Sequence, residues 1–220
     1  SFGALAHVRY VLSRTLGYKV KIGHAGTLDP LATGVMVVCT GRATKQIDML
    51  QAGVKEYIAT LRLGATTPSF DLEHPIDHTY ATCHIDHALV EQQLKKFIGD
   101  IWQTPPAFSA VKVDGKRAYD LARKGQEVEL KPKLLRIDEL ELLDCALAGA
   151  EKTLTLRVVC SKGTYIRALA RDIGEALGSG AHLTSLRRTR VGDFRVEDCM
   201  QLDDFEGWLA QQTIETELPQ

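Results

Sequence analysis

Asp29 is the carboxylate in this 220-residue chain whose setting best suits chemistry. It lies in Gly23-His24-Ala25-Gly26-Thr27-Leu28-Asp29-Pro30-Leu31-Ala32-Thr33-Gly34, twelve residues that hold three glycines and a proline. Glycine and proline this dense force the backbone into turns that other residues resist. The apolar run Val35-Met36-Val37-Val38-Cys39 follows at once and reads as a strand that would hold those turns. A carboxylate on a constrained loop beside a rigid element is placed as catalytic groups are placed. The same residues also suit a strand-entry turn in which Asp29 only bonds backbone amides. A second stretch runs from Cys160 through Gly163 into Thr164-Tyr165-Ile166-Arg167 and puts Tyr165 and Arg167 in the first turn of a helix. A ring there can stack on a base, and an arginine can pair with a phosphate or with a carboxylate such as Asp29. Lys55-Glu56-Tyr57 begins a strand and brings another ring near a sheet edge; both tyrosines equally suit half-buried core. Leu186-Arg187-Arg188-Thr189-Arg190 reads as a phosphate-contacting patch or as a strand edge kept soluble by charge.

Other chemistries find less support. No G-x-x-x-x-G-K-[ST], G-x-G-x-x-G or G-x-S-x-G is present, which argues against a nucleotide cofactor and against a serine hydrolase elbow. His74, His78, Cys83, His84 and His87 are all zinc-capable side chains, but their spacing fits no common template and reads as a histidine-rich surface loop. The five cysteines are odd in number and widely spaced, as expected of free thiols in a reducing cytoplasm. The longest apolar runs are about five residues, far short of the ~20 of a membrane helix. The first residues lack the basic leader and apolar centre of a signal peptide. They also lack a Met, so an upstream segment is expected to be missing. All 27 Lys and Arg lie at or before Arg195, with 21 of the 28 Asp and Glu, so residues 1–195 carry a formal +6 and the rest −7. A basic body with clustered arginines is compatible with a polyanionic partner.

The elements that must position these groups follow from periodicity. Residues 4–16, 88–98, 117–124 and 164–177 have helical spacing, the second capped by Asp86, and 44–50 and 205–212 read as shorter helices. Residues 56–63, 134–147 and 154–160 read as strands, the last two as an antiparallel pair around Gly149. Strands are also expected at 35–39, at 108–113 before an Asp114-Gly115 turn, and within 183–196, with 64–84 a loop. Strands and helices mix without a β-α-β rhythm, which predicts an α+β fold with a mostly antiparallel or mixed central sheet flanked by helices.

Five blocks, in order, resemble the TruB family of tRNA pseudouridine-55 synthases. They are the Gly23–Gly34 loop with Lys55-Glu56-Tyr57 downstream, Gln103-Thr104-Pro105-Pro106-Ala107-Phe108-Ser109-Ala110-Val111-Lys112, Gly115-Lys116-Arg117-Ala118-Tyr119, Gly163-Thr164-Tyr165-Ile166-Arg167 and Leu186-Arg187-Arg188-Thr189. The resemblance implies the pseudouridine synthase fold and conversion of a T-loop uridine of tRNA to pseudouridine, the base leaving C1′, turning and rejoining through C5. It implies no cofactor, the T arm of tRNA as partner, no membrane association and action as a monomer. Asp29 matches the essential aspartate, Tyr57 the ring against the target base and Arg167 the partner of the aspartate. Tyr165 and Leu186 match the uridine pocket, and His24 the residue that enters the T loop as the base flips out. Residues 1–196 are expected to be the catalytic domain, and 197–220 an acidic tail with a short helix and no separate RNA-binding domain. The rival readings are a non-catalytic tRNA-binding or folding protein on the same scaffold, and a metal-dependent hydrolase using Asp29.

Overall fold

The structure is a computed structural model and describes residues 1–113, 115–126 and 128–213. Helix α1 (Phe2–Leu16) buries Val8 and Val11 and stops at Gly17. Three short strands follow, β1 (Ile22–His24), β2 (Thr33–Gly34) and β3 (Val38–Thr40), then a 3-10 segment (Gly41–Gln46) and α2 (Ile47–Ala52). The long strand β4 (Lys55–Leu63) leads to the two-residue strands β5 (Ala65–Thr66) and β6 (His78–Thr79). Helix α3 (His87–Leu94) begins where the Asp86 carboxylate accepts from the Leu89 N–H at 2.8 Å, the capping its sequence suggests. Then come β7 (Gly99–Gln103), the hairpin β8 (Lys112–Val113) and β9 (Lys116–Arg117), and α4 (Ala118–Ala122). The chain ends its sheet with β10 (Lys133–Ala146), β11 (Lys152–Cys160), α5 (Ile166–Ala176), β12 (Ala181–Val191) and β13 (Phe194–Arg195), before α6 (Phe205–Ala210).

Seven strands form one sheet in the order β13-β12-β4-β11-β10-β7, every pair antiparallel, and β2 joins β12 in parallel. The fold is α+β with a mixed central sheet, as the periodicity predicts. One face of the sheet is apolar because alternate residues of its strands are: Leu61 on β4, Leu154 and Leu156 on β11, and Leu183 on β12 are almost wholly buried. Helix α5 covers that face with Ile166, Leu169 and Ile173. Each such side chain contributes roughly 1.5–3 kcal/mol by leaving water. The helix comes so near β12 that a Cβ at Gly174 would stand 2.4 Å from the Ala181 nitrogen.

Three local expectations change. Residues 35–39 are not one strand: β3 covers only the end of the run, because the Val35 N–H and C=O are both spent on Arg188. Residues 108–113 are strand only at Lys112–Val113, since the Phe108 and Ser109 carbonyls are taken by Arg167 and by the Tyr119 N–H. The helix expected over 88–98 is α-helical only to Leu94, and Gly99 just beyond it opens β7, which pairs with β10 from Gly99↔Ile137 to Gln103↔Lys133. Asp114 of the expected turn, and residues 214–220 of the acidic tail, lie outside the described residues.

Candidate active site

The loop that carries Asp29 is fastened to β12. The Ala32 N–H donates to the Asp29 carbonyl at 3.1 Å, closing a turn with Pro30 at its second position, where the fixed φ of proline fits. Gly34 then lies against β12 at φ +101°, and a Cβ there would stand 2.1 Å from the Arg188 carbonyl oxygen, so only glycine fits. Arg188 completes the attachment with its side chain. Its Nε donates to the Val35 carbonyl at 2.9 Å, Nη1 to Thr27 at 3.2 Å and Nη2 to Gly26 at 3.2 Å. Arg188 is 2% exposed, so the expectation that it contacts phosphate is corrected: its guanidinium holds the loop from beneath. The reason is the two-residue period of a strand, which puts Arg188 on the same inward face as Leu186. Of the other two arginines expected on phosphate, Arg187 is exposed, whereas Arg190 is half-buried, donates to the Gly192 carbonyl at 3.3 Å and lies 3.9 Å from Glu56.

Arg167 faces Asp29 from the first turn of α5. That turn is pinned by Gln103 at the end of β7: the Tyr165 N–H donates to Gln103 Oε1 at 2.9 Å, and Gln103 Nε2 donates to the Tyr165 carbonyl at 3.2 Å. Arg167 Nε and Nη2 donate to the two oxygens of Asp29 at 3.0 and 2.9 Å, a two-point pairing that fixes both position and plane of the carboxylate. The remaining donors reach the Ser69 carbonyl at 3.2 Å and the Phe108 carbonyl at 3.0 Å. Arg167 is thus buried, while Asp29 keeps 32% of its side chain open. The carboxylate bonds an arginine rather than the amides of its own turn.

A second carboxylate, Asp71, was not singled out from sequence, where 64–84 reads only as loop. Its Oδ2 lies 3.8 Å from Arg167 Nε. Asp71 is buried and held by the Ser69 hydroxyl at 2.6 Å and the Glu73 N–H at 3.0 Å. The residue before it, Phe70, has φ +62°, a left-handed conformation that costs a bulky residue roughly 1–3 kcal/mol. The available signal was the turn-forming Thr67-Pro68-Ser69 ahead of an acid, which fixes no partner.

Asp29, Asp71, Arg167, Leu183 and Leu186 line one cleft that is open to solvent and encloses only about 20 Å³. Tyr57 sits on β4 opposite Arg188, and burial pushes its phenol up to about 12. Tyr165, immediately before α5, is also pushed up by burial. His24 lies on β1 opposite Val38; its Nδ1 is buried without a partner among the described residues, and burial lowers its pKa, favouring a neutral ring. The histidines of the 74–87 stretch diverge. His74 packs against Phe108 with ring centroids 4.5 Å apart and planes tilted by 42°, His84 Nε2 meets the Leu177 carbonyl at 2.9 Å, and His78 and His87 are exposed. Among the described residues no group of three or more His, Cys, Asp or Glu is arranged to hold a metal. Nor is any described helix long and apolar enough to cross a membrane.

Comparison with known proteins gives this geometry a lineage. The TruB family pseudouridylate synthase N-terminal domain model matches residues 13–166, and the tRNA pseudouridylate synthase B C-terminal domain model matches 167–220. The chain is 66% identical over 218 residues to tRNA pseudouridine synthase B of Bacteroides thetaiotaomicron, covering 99% of this chain and 91% of that protein. To tRNA pseudouridine synthase B of Flavobacterium johnsoniae it is 50% identical over 208 residues, covering 94% and 89%. Among solved structures, a Cbf5-Nop10-Gar1 complex aligns with a TM-score of 0.66 and 29% identity over 92% of this chain and 50% of that one. An H/ACA RNP bound to a substrate RNA containing 2'-deoxyuridine aligns with a TM-score of 0.63 and 26% identity, over 96% and 52%. The chain thus spans about half the length of these structural relatives. Two family models that together cover the sequence from residue 13 onward, and relatives this similar along nearly their whole length, establish that the chain belongs to the TruB family of pseudouridylate synthases.

Proposed function

We propose that this protein isomerises the T-loop uridine at position 55 of tRNA to pseudouridine, with Asp29 as the carboxylate at the reacting nucleotide. The observation that carries the reading is the part-exposed Asp29, held at both oxygens by the buried Arg167 and lining a cleft open to solvent. The names of the curated relatives supply the substrate class.

The reaction needs no added atoms. The bond from C1′ to N1 breaks, the base turns within the cleft, a bond from C1′ to C5 forms, and the C5 proton moves to N1. A base inside a folded loop must first leave its stack, at a cost of a few kcal/mol. His24 ends β1 five residues before Asp29, so a neutral imidazole enters the space the base vacates while the carboxylate meets the base outside it. Tyr57 and Tyr165 offer aromatic faces that replace lost stacking. Tyr57, pushed to about 12, stays a neutral phenol through the physiological range. Leu186 closes the apolar wall of the cleft. The exposed Arg187 is suited to the RNA backbone.

The test is Asp29→Asn assayed on an unmodified tRNA transcript, with pseudouridine mapped by chemical probing. The side chain keeps its volume and one oxygen for Arg167, so tRNA binding is expected to persist while pseudouridine formation is abolished. Full activity in this variant would overturn the assignment. A wild-type protein that binds tRNA but forms no pseudouridine would point instead to a non-catalytic binding protein.

A further inference from the structure

Two arginines one turn apart on the same face of α5, Arg167 and Arg171, bridge the same two loops. Arg167 spans the Ser69 carbonyl of one loop and the Phe108 carbonyl of the other. Arg171 donates from Nη2 to the Thr104 carbonyl at 3.0 Å, at the start of the second loop, and its guanidinium lies 5.0 Å from the centre of the Phe70 ring, in the first. That distance is within the range of cation–π attraction. Asp172 accepts from Arg171 Nε at 2.8 Å and fixes the plane of the guanidinium. Arg167 ends on Asp29, whereas no contact joins Arg171 to Asp29 or Asp71 among the described residues.

Phe70 is the sole described non-glycine residue with a positive φ. Its carbonyl accepts from the Leu183 N–H at 2.9 Å and its N–H donates to the Thr67 carbonyl at 3.1 Å. The residues on either side of it, Ser69 and Asp71, are those that meet Arg167. Relaxation of the residue-70 backbone toward ordinary φ would therefore swing both away from Arg167 together. We propose that Phe70 and Arg171 are positioning residues: ring and guanidinium together pin the strained backbone, which sets Ser69 and Asp71 against Arg167 and so fixes the plane of the Asp29 carboxylate. This rests on the functional reading above, in which Asp29 is the catalytic carboxylate.

The experiment measures single-turnover pseudouridine formation, affinity for the same tRNA transcript and urea stability in the wild type and four variants. Phe70→Leu and Arg171→Met are expected to lower the rate about 10- to 100-fold, the scale of a misplacement near 1 Å, with tRNA affinity within about threefold of wild type. Phe70→Tyr keeps the ring and is expected to keep the rate within about threefold. Phe70→Gly separates ring from strain: glycine accepts φ +62° freely, so the variant is expected to be at least as stable as Phe70→Leu and equally slow. A purely structural role would instead make rate follow stability across the series. Wild-type rates in Phe70→Gly or in Arg171→Met, or a loss confined to tRNA affinity, would overturn the clasp. An active wild type with active variants overturns the clasp alone, whereas an inactive wild type overturns the functional reading and the clasp with it.

Discussion

Replacing Arg188 with leucine removes the one side chain that ties the Asp29 loop to β12 from below. Its three donors serve the carbonyls of Val35, Thr27 and Gly26. Thr27 is exposed, so water can take over there, but Val35 and Gly26 are buried and their carbonyls would be left without a partner. Orphaning a buried acceptor costs about 1–3 kcal/mol, so the two together cost roughly 2–6 kcal/mol. For a chain of this size each kcal/mol moves the melting temperature by about 2–4 °C, and the midpoint of that range corresponds to roughly 8–16 °C. Lysine should not rescue the variant, because a single ammonium cannot span three carbonyls in a fork. Since Arg188 is 2% exposed, the salt dependence of tRNA binding should keep its wild-type slope. Thermal unfolding and a salt titration of tRNA affinity, both on the folded variant, check the two halves. A melting temperature unchanged from wild type, or a slope flattened by about one unit as for a lost phosphate contact, would refute the reasoning.

The neighbouring Arg187 behaves oppositely: Arg187→Ala should flatten that slope by about 0.9 while leaving stability near wild type, as the same titration reads out. Gly34→Ala should be severely damaging, since its Cβ would stand 2.1 Å from the Arg188 carbonyl oxygen at φ +101°; loss of both the urea midpoint and pseudouridine formation is the expected result. Base should destabilise the protein through Cys160. Burial pushes this thiol from 9.0 to about 11, so between those values the unfolded chain has released a proton that the fold retains, and stability falls as pH rises. At about 1.4 kcal/mol per unit the loss approaches roughly 3 kcal/mol, and Cys160→Ala should remove that part of the difference between urea midpoints at either end of the window.

What the sequence determined by itself is what depends on neighbours a few residues away. Alternation marks β4, β10 and β11, helical spacing marks α1 and α5, and Asp86 caps α3 through a bond spanning three residues. The glycine- and proline-rich turn at Asp29 is local in the same sense, as is the ordered set of motifs that resembles the TruB family. The burial of Arg188, read from sequence as a phosphate contact, was decided by packing: the two-residue period puts it on the face of Leu186, but only the seating of the Asp29 loop turns that face inward. Only the tertiary structure decided who meets whom. Asp29 and Arg167 are 138 residues apart, and their pairing depends on β7, α5 and β12 packing into one sheet-and-helix layer. Asp71 enters the site because a strained Phe70 turns it inward, and strain at one residue leaves no periodic mark. Residues 35–39 have the composition of a strand and are not one, because a buried guanidinium takes the carbonyl that a ladder would use. Local pattern selects the elements, and the demand that every buried polar group find a partner selects how they are spent.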